Sequence, residues 1–507
     1  MCNKKNNIYS LFQARFPKDT SASFIETNDG AEYSYAYLEQ ETSRIAQFLT
    51  TLGIKKGDRI AVQVEKSPHV IFLYLACLRA GFVYLPLNTA YTKSELSYFL
   101  ENAEPSLVVC KTETEDIFSG FKNETLKHIL TLDLNEQGSI IEQSRSTAAE
   151  FETVTSDTDD IAVILYTSGT TGRPKGAMIT HANLAANGLA LQEAWGWQQS
   201  DVLLHALPIF HIHGLFVACH NVLLSGSKML FLEKFDSKTV VQLLPKATVF
   251  MGVPTFYTRL LDEPSFDRAC SQNMRLFISG SAPLLEQTFE DFQKRSDHTI
   301  LERYGMTETG MNTSNPLNGD RIAGTVGLPL PGVEARIVDE NNHSIRNNSV
   351  GVLQVKGKNV FKGYWRMPEK SAEEFTEDHF FITGDLAQYN EQGYISIVGR
   401  NKDMVITGGY NVYPKEVELL LDETEGVKES AIIGLAHKDF GEAVTAIVVP
   451  EDITNPPNVD DLKKSLKEQL ASYKTPKKII FIEQLPRNTM GKVQKNMLRQ
   501  TYKSLYK

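Results

Sequence analysis

From residue 35 to about residue 290 the chain alternates two textures. Stretches with apolar residues recurring every three or four positions give way to short, unbroken apolar runs. The first texture predicts helices with one buried face, and the second predicts strands covered on both faces. Runs at 83–87, 107–110, 202–207, 229–232, 248–253 and 276–279 are the predicted strands. Helix starts are marked as well. Ser67-Pro68 sets a cap residue before a first-turn proline, and Thr92-Lys93-Ser94-Glu95 spells a capping box ahead of Leu96. Such alternation predicts layered α/β structure with largely parallel sheets.

Near residue 320 the texture changes. Short strands at 333–338, 351–356 and 394–398 are separated by turn-rich pieces such as DENNH at 339–343. This predicts a small antiparallel β unit. Beyond Arg400 a third pattern begins, with helices at 414–421 and 459–471 and strands at 430–435 and 443–450. It reads as a separate, compact α+β module.

Size and composition sharpen this outline. A chain of 507 residues exceeds one compact core, so two or more domains are expected. Hydrophobic residues at 42% and charged residues at 22% fit a soluble globular protein. The five cysteines are scattered and never form C-x-x-C, which predicts a reducing compartment and no structural zinc. The N-terminus has no signal-peptide pattern, and the longest apolar run, 70–78, stops at Arg79, far short of a membrane span. A cytoplasmic protein is the expectation. The net charge of −10 argues against non-specific nucleic-acid binding. The charge is uneven, however: between Lys463 and Lys507, ten lysines and two arginines face only Glu468 and Glu483. Most of these lysines read as a solvated helix face, and some as partners of a polyanionic ligand.

Chemistry concentrates in four places. The apolar run 161–165 launches YTSGTTGRPKG at 166–176. Gly169 and Gly172 let backbone N–H groups turn toward an anion, while Thr167, Ser168, Thr170, Thr171, Arg173 and Lys175 add donors and charge around Pro174. This is a phosphate loop, although not a Walker A loop, because Lys175 follows proline and precedes glycine. Second is Tyr304-Gly305-Met306-Thr307-Glu308. A triphosphate travels with Mg²⁺, which needs oxygen ligands, and Glu308 and Thr167 can supply them or orient coordinated water. Tyr304 can stack on a base. Third is Thr383-Gly384-Asp385, with Arg400 further on: a carboxylate suited to ribose hydroxyls. Fourth is PRNTMGK at 486–492, in which Lys492 follows glycine and can be carried to a site and withdrawn.

Together with GRNKDMVITGGYNVYPKEVE at 399–418, these motifs resemble the adenylate-forming acyl-CoA synthetase superfamily, over residues 25–500 or so. Within it, GVPTFYTRL at 252–260, ERYGMTETGMNTSNP at 302–316 and LPRNTMGKVQKN at 485–496 are most similar to the malonyl-CoA synthetases. The fold implied is α/β. A large N-terminal domain, 1–399, combines layered α/β subdomains with a small β-barrel at about 320–399. A small mobile α+β C-terminal domain, 400–507, turns on a hinge near Lys402.

The resemblance also implies a two-step course. A carboxylate attacks the α-phosphorus of MgATP and expels pyrophosphate, and coenzyme A thiolate then displaces AMP. By motif, Lys492 would be the cation at the α-phosphate. Residues 167–175 would cradle the outer phosphates, and Glu308 with Thr167 would serve Mg²⁺. Tyr304 and Thr307 would line the nucleotide, with Asp385 and Arg400 at the ribose. Gly408, Gly409 and Tyr410 would line the thiol tunnel. His211, Ser281 and Met306 would border the acyl group, with His205 and His213 packing behind. Arg259 reads either as a surface arginine of an amphipathic helix or as the fork that pairs a second carboxylate. The resemblance favours the fork, hence a small dicarboxylic acid: malonate or methylmalonate. A short- or medium-chain fatty acyl-CoA ligase, an aryl-CoA ligase and an enzyme loading a carrier protein are the alternatives.

Overall fold

The computed structural model describes residues 7–121, 124–167, 174–346, 348–408, 410–488 and 491–506. Its first two sheets are built from the predicted apolar runs. One has seven strands in the order Gly363–Tyr364, Lys175–Thr180, Ile161–Thr167, Val83–Pro86, Arg59–Gln63, Leu107–Cys110, His128–Thr131. From Ile161–Thr167 to His128–Thr131 the neighbours run parallel, and the hairpin Ile161–Thr167/Lys175–Thr180 is antiparallel. The other has nine strands, in the order Leu328–Pro329, Gly310–Ser314, Ile300–Met306, Leu276–Ser279, Val249–Gly252, Val202–His205, Lys228–Phe231, Ser23–Thr27, Glu32–Ser34.

Helix Pro68–Ala80 is buried along its whole length, so it serves as core rather than as a surface layer. Its neighbour Lys93–Ala103 starts at the predicted capping box: Thr92 Oγ1 accepts from the Glu95 N–H at 3.4 Å, and Glu95 Oε2 from the Thr92 N–H at 2.7 Å. The β unit is a four-stranded antiparallel sheet, Val333–Val338, Gly351–Gly357, Phe381–Tyr389, Ile395–Arg400.

After Arg400 the chain builds a sheet of its own. The long hairpin Val427–His437/Gly441–Pro450 is flanked by Val405–Thr407, Tyr410–Val412 and Lys478–Phe481. Helices Pro414–Asp422 and Val459–Gln469 cover one face through Val417, Leu421, Leu462 and Leu466. The other face packs Leu485 and Leu498. Neither of these two hydrophobic clusters draws on a residue before Val405. No helix among the described residues is long and apolar enough to cross a membrane.

Candidate active site

Strand register brings two of the predicted motifs together. Asp385 and Arg400 are cross-strand partners on Phe381–Tyr389 and Ile395–Arg400. Arg400 Nε lies 2.7 Å from Asp385 Oδ1, and the Tyr304 hydroxyl donates to Asp385 Oδ2 at 2.5 Å. Burial and then the Asp385 charge hold the Tyr304 phenol well above its usual range, so it stays a donor. Tyr304 belongs to Ile300–Met306, whose hairpin with Gly310–Ser314 leaves no room at position 305. A Cβ on Gly305 would stand 2.1 Å from the Gly310 carbonyl oxygen.

Tyr364 joins the phosphate-loop hairpin to the second motif. It pairs with Ala177 on Lys175–Thr180, and its hydroxyl donates to Glu308 Oε1 at 3.0 Å. The Lys175 ammonium sits 4.0 Å over the Tyr364 ring and 3.1 Å from Glu374 Oε1. Burial raises the Glu308 carboxyl above its usual range, partly offset by the Tyr364 bond and by the charges of Arg400 and Lys175. Thr167 lies opposite Lys175 at the mouth of the hairpin. Pro174 O accepts from the Tyr98 hydroxyl at 2.7 Å. Ser168, Gly169, Thr170, Thr171, Gly172 and Arg173 lie outside the described residues, as does Gly409.

Lys492 comes from the C-terminal module. Its loop is pinned by Asn488, whose Oδ1 accepts from the Lys492 N–H at 2.9 Å, and by Arg487, which donates to Gly491 O at 2.5 Å and pairs with Glu429. A Cβ on Gly491 would stand 3.5 Å from Thr255 Oγ1, on helix Pro254–Leu261 of the N-terminal part. Among the charges acting on Lys492 are Arg400, Asp385 and Glu308. Lys492 is itself exposed, so these charges act on it at the mouth of the site. Burial and then Arg400 lower its pKa. Lys402, in the 3₁₀ turn Asn401–Asp403, is pushed down to about 8 by burial, with Arg400 and Lys492 adding to the shift.

A third group of residues faces the same place. Burial, then Arg303 and Lys492, push His211 down to about 4, so the ring is neutral at pH 7. His211 Nδ1 accepts from the His213 N–H at 3.3 Å, which assigns the proton to Nε2 and makes that nitrogen a donor. His213 opens a π-helix, His213–Cys219, a winding often found at functional sites. His213 Nδ1 is 3.2 Å from Ser281 Oγ, and Ser281 has φ +74°. His205 packs behind them, with Nε2 3.1 Å from Gly214 O. Met306 stands beside Tyr304, its sulfur 3.9 Å from the phenol oxygen. Thr307 lines a small cavity with Asn187 and His220.

Helix Pro254–Leu261 buries Tyr257 and Leu260, which turns position 259 outward. Arg259 is exposed, at the rim of a cavity of about 320 Å³ that also meets Lys66, Phe210, Phe235 and Phe256. The cations acting on His211 are Arg303 and Lys492. Arg303 is the residue that sequence reasoning missed. It is 3% exposed, and its Nε and Nη2 have no hydrogen-bond partner among the described residues. Burial lowers it to about 9, and it remains cationic at pH 7.

Asp385 with Tyr304 and Arg400, Glu308 with Tyr364 and Lys175, and the buried Arg303 with His211 are thus the parts of the candidate site, with Lys492 reaching it from the second module. The chain belongs to the AMP-binding enzyme family: the family's model matches residues 12–365, and that of the AMP-binding enzyme C-terminal domain matches residues 416–492. It is an AMP-forming acyl-CoA synthetase. Among its relatives, the malonate–CoA ligase of Arabidopsis thaliana is 35% identical, over 98% of this chain and 90% of the relative. The ATP-bound MatB protein of Rhodopseudomonas palustris is 50% identical and superposes with a TM-score of 0.97, over 99% of this chain and 100% of that one. The apo form of MatB, with the same identity and coverage, superposes with a TM-score of 0.85.

Proposed function

We propose that this protein activates malonate as an acyl adenylate and passes the malonyl group to coenzyme A, releasing AMP and pyrophosphate. The choice of acid rests on Arg303. A guanidinium this deeply buried without a counter-ion is costly, and a carboxylate delivered by the substrate removes that cost. A monocarboxylate has no second charge to offer. The names of the relatives, a malonate–CoA ligase among them, support the same acid.

In the first step one carboxylate of malonate attacks the α-phosphorus of ATP and pyrophosphate leaves. Negative charge gathers at the α-phosphate, where Lys492 supplies a preorganised cation. His211 Nε2–H donates to the reacting carboxylate while Arg303 holds the distal one. Tyr304, Asp385 and Arg400 hold the nucleoside, with Thr307 beside them, and Lys175 with residues 167–174 takes the outer phosphates. Glu308 and Thr167 would hold a magnesium ion, since the buried Glu308 carboxyl gains from a cation, and the ion would neutralise charge on the phosphates.

Coenzyme A thiolate then attacks the acyl carbon, and AMP leaves. Lys492 must withdraw first, so residues 400–507 turn as a unit about Lys402, bringing Gly408, Gly409 and Tyr410 to the thiol path. In the present arrangement Tyr410 is 59% exposed and stacks on Tyr473. The closer match to ATP-bound than to apo MatB supports the reading that this arrangement serves the first step.

The test is a substrate panel at fixed ATP and coenzyme A. Malonate should be used in preference to acetate, butyrate and benzoate, with methylmalonate second. Arg303→Met should lower kcat/KM for malonate by at least ~10², the scale of a broken buried charge pair. Arg259→Leu should stay within about threefold of the parent, as expected of an exposed position. Full malonate turnover in Arg303→Met would overturn the assignment.

A further inference from the structure

Arg303 makes its closest approach to a backbone rather than to a charge. A Cβ built on Gly280 would stand 2.4 Å from Arg303 Cζ, 2.5 Å from Nη1 and 2.7 Å from Nε. The guanidinium therefore rests against the Gly280 main chain, in space that any other residue would fill. All three atoms belong to the guanidinium at the end of the Arg303 side chain, so a side chain at 280 forces that group itself to move. The strand end Leu276–Ser279 leads into this corner, and the next residue, Ser281, is held at φ +74° with its hydroxyl against His213. Gly280 itself does not take a positive φ. Backbone freedom is thus not the reason for glycine there, and the missing side chain is.

We propose that Gly280 is a positioning residue that fixes where the Arg303 guanidinium lies, and so which acids the site accepts. This rests on the reading of Arg303 as the group that meets the distal carboxylate. The physical argument is one of packing. Among the described residues neither Nε nor Nη2 of Arg303 has a hydrogen-bond partner, so no polar contact fixes either nitrogen. The floor provided by Gly280 supplies that constraint, and Ser281 holds the floor in place through His213. A methyl group at 280 displaces the guanidinium from the line to His211.

The experiment is a double-mutant cycle on the full chain with Gly280→Ala and Arg303→Ala, read as malonate KM, malonate kcat and ATP affinity by calorimetry. Gly280→Ala should raise malonate KM by about tenfold or more, the range of an overpacked site, while ATP affinity stays within about twofold. In the Arg303→Ala background the same change should cost no more than about twofold, because the space is then free. Should Gly280→Ala fail to fold, the double variant should regain ATP binding. The proposal is overturned by an unchanged malonate KM in Gly280→Ala, by an equal loss in both backgrounds, or by a double variant that does not recover. If Arg303→Ala alone leaves malonate KM unchanged, it is the assignment of Arg303 that fails.

Discussion

At the scale of single residues, the neutral state of His211 has a kinetic consequence. An imidazole pushed down to about 4 is neutral, with Nε2–H as its donor, across the neutral range and takes up a second proton only as pH falls toward about 4. The adenylation rate should therefore show no histidine limb near pH 6.5. An acidic limb there that disappears in His211→Asn would contradict the assignment. Which residues the sequence disclosed is itself informative. Tyr304, Asp385, Arg400, Glu308 and Lys492 stand in short motifs, and the resemblance those motifs carry singled them out as candidates. Arg303 and Tyr364 were not singled out. Arg303 is a charge inside an apolar strand run, and only burial without a partner sets it apart. Tyr364 works by joining two motifs from a two-residue edge strand, Gly363–Tyr364.

Among elements, the turn Asn401–Asp403 is where the proposed rotation of residues 400–507 would act. Lys402→Pro fixes one φ and removes one N–H. It should slow thioester formation from supplied malonyl adenylate far more than pyrophosphate exchange, and equal loss in both would indicate misfolding instead. The predicted strands and helix starts of the first 290 residues agree with the structure to within a few residues, since caps and apolar runs are local signals. Long-range pairing was not legible. Nothing local tells that Ser23–Thr27 runs parallel to Lys228–Phe231 and carries Glu32–Ser34 as the far edge of the nine-stranded sheet. The π-helix His213–Cys219 was equally hidden, because one widened turn does not change the apolar pattern.

For the molecule as a whole, buried titrating groups set opposing pH trends in stability. Burial raises Glu302 to about 8, and the N–H groups of Leu284 and Gly324 offset this in part. A raised carboxyl contributes stability that is full below its unfolded pKa and is lost as pH rises toward 8. Buried His181 and His220, lowered to about 4 and about 3, lose theirs as pH falls below about 6.5. Glu302→Gln should therefore gain stability over the parent progressively between pH 5 and 8 in urea titrations. A constant offset across that range would show that Glu302 is ionised throughout.

The account turns on two parts of the chain converging on one triphosphate, and malonate-dependent ATP–pyrophosphate exchange tests that most directly. Exchange should require malonate and fall by at least ~10² in Lys492→Ala, the scale of one preorganised donor. Thioester formation from supplied malonyl adenylate should be largely kept in that variant. Exchange that proceeds without an acid, or that is undiminished in Lys492→Ala, would contradict it.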